Sequence, residues 1–156
     1  MLLDLATARR HLRVDDDYPE AQVLPYLLAA EDAAQQFLNR AVYATQQQLD
    51  DARGTVTTLL TGAVATREAA YAAADAQADE DVRCMLRGQA VHTYAQAKTD
   101  AQRIALGIVL NDSIRAAVLL TLGHLFEHRE DVAAALQELP KGARSLLWPY
   151  RIGLGV

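Results

Sequence analysis

The stretch that decides the fold is Asp112-Ser113-Ile114-Arg115-Ala116-Ala117-Val118-Leu119-Leu120-Thr121-Leu122-Gly123-His124-Leu125-Phe126-Glu127. Ile114, Val118, Leu122 and Leu125 recur at steps of three and four, the repeat of one helix face, and Leu119 and Phe126 widen that face. A stripe this broad must be covered, so the segment is read as a core helix with Asp112 as its N-cap. A flexible connection is expected after it. Leu139-Pro140-Lys141-Gly142 then reads as a stop signal, Ala143 to Leu147 as one last turn, and Pro149-Tyr150-Arg151 as a tail.

Upstream of that helix the chain is alanine-rich. From Thr66 to Ala105 helix propensity is high, and Val82, Leu86, Ala90, Tyr94, Ala97, Ala101, Ile104 and Ile108 form one stripe. The pattern fits one long helix or a hairpin broken near Asp79, where Glu80 and Asp81 favour a helix N-terminus. Thr45 to Ala52 reads as a short helix with Thr45 and Gln48 as capping pair, broken by Gly54. Thr55 to Leu60 is β-branched enough for a short strand but lacks a partner, so irregular or helical structure competes with it.

Towards the N-terminus, Asp4 to Arg13 has Leu5, Ala8 and Leu12 at helical spacing. Asp17 as N-cap with Glu20 three residues on is a capping-box pattern for a second helix reaching Arg40. Leu24, Leu27, Leu28, Ala34, Phe37 and Leu38 would line its buried face, and Pro25 should kink it or delay its regular start. The fold class is therefore all-α: a small helical bundle with a long central Ala-rich helix or helical hairpin insertion.

Bulk properties narrow the function. The chain has 156 residues, 51% hydrophobic, and much of that is alanine, which buries little surface per residue. A thin monomer core makes a homo-oligomer the expected state. With 15 basic and 20 acidic residues the formal charge is −5, and the basic cluster Arg9, Arg10, Arg13 is followed at once by Asp15, Asp16 and Asp17. Stable wrapping on nucleic acid is not expected. The single Cys84 rules out an intrachain disulfide and suits a reducing compartment. No run approaches a membrane span, and Met1 to Arg10 lacks the apolar core of a signal peptide.

One motif carries possible chemistry. His124-Leu125-Phe126-Glu127-His128 spells H-x-x-E-H, in which two histidines one turn apart bind zinc beside a glutamate base. Such a site needs a third ligand from a helix well downstream, and few residues remain. The plain reading is polar residues at a helix end, where histidine complements the dipole. Cys84 and His92 lie two turns apart, too far for a nucleophile and base, so Cys84 is read as a small packing residue. No catalytic, cofactor-binding or metal residue is assigned, and no enzyme activity is expected. Arg40, Glu127, Arg129 and Arg151 each end an apolar element, where a charge faces solvent or pairs across a junction. Gly123, costly inside a helix, would serve a close crossing or an intersubunit contact.

Leu5-Ala6-Thr7-Ala8-Arg9-Arg10-His11-Leu12-Arg13-Val14-Asp15, Tyr26 to Arg40, Ile114 to Leu120, Gly123 to Glu130, and Leu139-Pro140 through Leu146-Leu147 to Pro149-Tyr150-Arg151 follow one another in a distinctive order. Together they resemble the head–tail connector (head-completion adaptor) family of tailed bacteriophages, over about half of the chain. The resemblance implies a structural virion subunit, assembled in the host cytoplasm, that forms a ring, typically dodecameric. Such a ring sits beneath the portal protein, extends the DNA channel without gripping DNA specifically, and presents a platform for a downstream tail-joining protein. Family members engage the portal through a C-terminal segment, here the region around Trp148 to Val156, which adds Trp148 and Tyr150 to the interaction candidates. They often carry tyrosine or asparagine near Phe126 and His128, which makes His128 incidental. They also pass by a short loop between the helices that this chain separates by residues 44–110. One domain, 1–156, with that insertion and a tail at 140–156, is therefore expected. The rival readings are a small dimeric helical binding or regulatory module using the Val82 to Ile108 stripe and, last, a zinc-dependent hydrolase.

Overall fold

The computed structural model describes residues 1–128 and 139–153. Its helices are α1 (Leu5–Leu12), α2 (Glu20–Leu38), α3 (Gln46–Asp75), α4 (Glu80–Ala105), α5 (Asp112–Glu127) and α6 (Lys141–Leu147), with a 3-10 turn at Trp148–Tyr150. Strands β1 (Val42–Tyr43) and β2 (Ile108–Val109) pair in parallel, Val42 opposite Ile108 and Tyr43 opposite Val109. The class is all-α, and the alanine-rich middle is a hairpin of two long helices. The chain divides into two compact units, Met1–Gln46 with Ile108–Val156, and Gln47–Gly107.

In the first unit, α1 begins on Asp4, whose carboxylate accepts the Thr7 N–H at 2.7 Å and the Thr7 hydroxyl at 2.9 Å. It stops at Arg13, in the left-handed region at φ 56°. The Asp17–Glu20 capping box does not form. Pro19 occupies the N-cap position of α2 without a side-chain hydrogen bond. Tyr18 explains the shift: its ring packs edge-on to Phe126 at 6.1 Å, and the Arg9 Nη2 donates to its carbonyl at 2.7 Å. Those contacts pin the chain just before Pro19, whose fixed φ suits the start of a helix.

The buried face of α2 is Val23, Leu27, Ala30, Glu31, Ala34 and Leu38. Leu28, expected there, is 45% exposed, because it lies about 100° round the helix from Leu27. The helix runs through Pro25, which sits on the exposed side between buried Val23 and Leu27. Helix α5 is capped by Asn111, whose side chain accepts the Ile114 N–H at 2.9 Å, one residue before the expected Asp112. Asn111 is still extended as the chain leaves β2, which frees its side chain to fold over the first turn.

Leu139-Pro140-Lys141-Gly142 begins a helix rather than ending one. Pro140 lies just ahead of the first turn of α6, where a missing N–H is harmless, and α6 buries Ala143 and Leu147. The connection expected to be flexible falls at residues 129–138, outside the described residues. Ile114, Ala117, Val118 and Leu122 of α5 complete the core with α2 and α6.

The second unit corrects the expected break at Gly54 and takes the helical alternative at Thr55 to Leu60. Helix α3 is continuous through Gly54, so neither the break there nor a strand at Thr55 to Leu60 is present. The hydroxyls of Thr55, Thr61 and Thr66 donate to the carbonyls of Ala52, Thr57 and Gly62 at 2.7–3.0 Å. These threonines are thereby satisfied inside the helix rather than drawn into a sheet. The break near Asp79 forms as expected: its carboxylate caps α4 by accepting the Val82 N–H at 3.0 Å. The two helices run antiparallel. Arg87 bridges to Asp75 at 2.7 Å near the turn, and Arg53 reaches the carbonyls of Ala105 and Gly107 at 3.2 Å at the open end. Cys84 is exposed rather than packed, since it lies about 200° round α4 from Leu86 on the seam.

Glu31 is 4% exposed, and its Oε1 accepts the N–H groups of Leu2 and Leu3 at 2.7 and 2.9 Å. Glu31→Ala should lower the stability measured by urea unfolding by about 1–3 kcal/mol, with faster hydrogen exchange at Leu3. The Asp4 carboxyl is held below its ordinary value of 3.8, chiefly by the Thr7 backbone N–H. A depressed carboxylate stabilises the fold above its unfolded value and ceases to do so as pH falls through the folded one. Fraying of α1 followed by NMR should therefore begin below pH 3.8, and Asp4→Asn should blunt that dependence.

Candidate interaction surface

The end of α2 and the last described turn of the chain form one cluster. Asn39 closes α2 in the left-handed region at φ 54°, donating its N–H to the Gln36 carbonyl at 3.1 Å. That turn leaves the Leu38 carbonyl available, and Ile152 N–H donates to it at 3.1 Å. Gly153 follows at φ +66°, where a Cβ would stand 2.8 Å from Asn39 Nδ2. Glycine suits that dihedral, and a Cβ there would have to displace the Asn39 side-chain amide.

Side chains then layer over the junction. The Phe37 and Trp148 rings lie 6.4 Å apart. The Arg151 guanidinium sits 5.1 Å over Phe37 and 5.9 Å over Trp148, and Arg144 lies 5.9 Å over the same indole. Arg40 Nη1 donates to the Tyr150 carbonyl at 3.4 Å. Guanidinium groups over aromatic faces are held electrostatically by the ring quadrupole. Trp148 remains 46% exposed. The result is a basic, aromatic patch with a half-exposed indole at its centre.

Four of the sequence candidates, Arg40, Trp148, Tyr150 and Arg151, therefore meet in one place. The others do not join them. Gly123 lies where α5 passes α1, and a Cβ there would stand 3.4 Å from His11 Nε2, so its close neighbour is in the same chain. Glu127 ends α5 exposed. Arg129 lies outside the described residues. The His124 and His128 rings are 4.6 Å apart, and His128 Nδ1 is 3.0 Å from the His124 carbonyl. Among the described residues no group of three His, Cys, Asp or Glu is arranged to hold a metal ion.

Sequence reasoning missed Arg144 and Gly153 as parts of the cluster. Arg144 had a legible signal, its i, i+4 spacing to Trp148. Gly153 had none, because its constraint comes from Asn39, remote in sequence. Comparison with protein-family models, with curated proteins and with solved structures finds no match to this chain. Among the described residues no helix is long and apolar enough to cross a membrane.

Trp148 is the only tryptophan, so its fluorescence reports on this junction directly. Arg151→Ala should shift its emission to longer wavelength and cost about 0.5–1 kcal/mol in urea unfolding. Gly153→Ala should release the turn from Asn39, seen as loss of hydrogen-exchange protection at Ile152. Gly123→Ala should be neutral or stabilising by up to about 1 kcal/mol, since the added methyl meets His11 at ordinary contact distance and favours helix.

Proposed function

We propose that this protein is a head–tail connector subunit of a tailed bacteriophage, a structural protein that assembles as a ring on the portal and offers a platform for tail attachment. The observation that carries the reading is the segregation of the chain. The described parts of every segment that resembles the connector family lie in the unit Met1–Gln46 with Ile108–Val156, and the departure from the family fills Gln47–Gly107. The order of these short segments has a physical reason when they build one core, as Leu27, Leu38, Ile114, Leu122 and Leu147 do here.

The Phe37, Trp148 and Arg151 cluster supports the reading further. A half-exposed tryptophan flanked by arginines resembles the anchors that dominate protein–protein contacts, where Trp and Arg are enriched. Trp148 and Arg151 lie in the part of the chain that corresponds to the segment through which family members engage the portal. The formal charge of −5 suits a lumen that lets DNA slide.

Native mass spectrometry and electron microscopy of the chain mixed with a portal ring test the proposal. Closed rings of this chain seated on portal are expected, and Trp148→Ala should weaken that binding by about tenfold or more. A strictly dimeric protein that ignores portal would overturn the reading in favour of a helical binding or regulatory module.

A further inference from the structure

The end of α5 carries chemistry that the connector reading does not use. His124 and His128 are four residues apart, so both stand on one face of the helix, a turn from each other. Their ring centroids are 4.6 Å apart and the rings are tilted by 35°. His124 is half-buried and His128 is exposed.

The backbone sets the chemistry of one ring. The His124 carbonyl is 3.0 Å from His128 Nδ1 and accepts the His128 backbone N–H at 3.1 Å. A carbonyl oxygen can only accept, so Nδ1 carries the proton and Nε2 of the neutral ring keeps its lone pair. Metal-ligating histidines are commonly fixed in this way, one nitrogen donating to a carbonyl and the other meeting the ion. Histidine χ2 is broad, so the His124 ring can rotate in place to aim a nitrogen at the same point. Spacing narrows the choice of ion. A metal about 2.0–2.1 Å from each imidazole nitrogen lies about 3.2 Å from each ring centroid. With centroids 4.6 Å apart, the two metal–nitrogen directions meet at about 90°, the cis angle of tetragonal copper(II) or nickel(II). Tetrahedral zinc would need the rings about 0.6 Å further apart.

We propose that His124 and His128 form a two-nitrogen site for a divalent transition-metal ion, with copper(II) held most tightly. Charge favours it over the simpler role of two cations at a helix end. The C-terminus of α5 attracts positive charge, yet two protonated rings this close repel each other. One ion shared by two neutral rings meets the helix dipole without that repulsion. Magnesium and calcium, which take oxygen ligands, are not its occupants. Among the described residues no third His, Cys, Asp or Glu joins the pair, so water fills the other positions and no hydrolytic role is assigned. The site rests on α5 alone and stands whether or not the chain is a connector.

Titration of the full, tag-free chain with copper(II) at neutral pH tests the site, by calorimetry and by pulsed electron paramagnetic resonance. One ion per chain is expected, with two imidazole nitrogens on the metal and tighter binding than for nickel(II) or zinc(II). His124→Gln and His128→Gln should each weaken binding at least about tenfold, because a lone imidazole loses the second, intramolecular bond. His11→Gln on α1 and His92→Gln on α4 should leave it unchanged. Unaltered far-UV circular dichroism in all four shows that the helices persist. The resonance of the unsubstituted chain counts the bound nitrogens whether or not a variant folds. No saturable binding, a single bound imidazole, or binding that survives either α5 substitution overturns the inference.

Discussion

Along α2 and α5, Val23, Leu27, Ala30, Ala34 and Leu38 meet Ile114, Ala117, Val118 and Leu122 in a core closed to water. These helices are separated in sequence by the whole of Gln47–Gly107, so the first unit exists only if the chain returns after that excursion. Alanines at 30, 34 and 117 keep the approach close, and the leucines supply the energy. Closing a longer loop costs only about 0.6 kcal/mol per doubling of its length, against about 1.5–3 kcal/mol for each large side chain buried. A long insertion is therefore tolerable at this point, provided that it folds upon itself.

The parallel pairing of β1 and β2 shows how the return is made. Ile108 N–H donates to the Ala41 carbonyl at 3.0 Å and Leu110 N–H to the Tyr43 carbonyl at 2.8 Å. The strand leaving the core and the strand re-entering it thus satisfy each other's backbone. From Val42 the chain has just left α2, with Val42 N–H donating to Gln35 Oε1 at 3.1 Å. The same end of α2 holds the Ile152 N–H and the Phe37–Trp148–Arg151 layer. One helix terminus thereby organises both the start of the insertion and the patch proposed to meet another protein.

The hairpin obeys different physics. Its alanines and threonines are content in helices and bury little, so it is held by peripheral charges and ring contacts such as Asp75–Arg87 and Arg67–Tyr94. Exposed ion pairs of this sort contribute little individually. Helices of this length usually draw their stability from a packed face. Here the packed face is narrow, its buried apolar residues being Leu49, Ala74, Ala90 and Ala101.

Much of this was legible in sequence. The period of Ile114, Val118 and Leu122 identified a core helix, and Asp4 and Asp79 marked helix starts, because periodicity and capping are local properties of the chain. One error arose where a distant contact overrode a local signal, and others where a local signal had two readings. Tyr18, held by Phe126 and Arg9, moved the start of α2 past Asp17 to Pro19. Gly54 broke nothing because its neighbours' hydroxyls and amides were already satisfied in the helix. The sequence by itself determined the helices, their order and the residues with chemical potential at the chain's end. Only tertiary structure decided which of those residues meet, because Phe37, Arg40 and Asn39 reach Trp148, Tyr150 and Gly153 across more than a hundred residues, a distance over which no local pattern carries information.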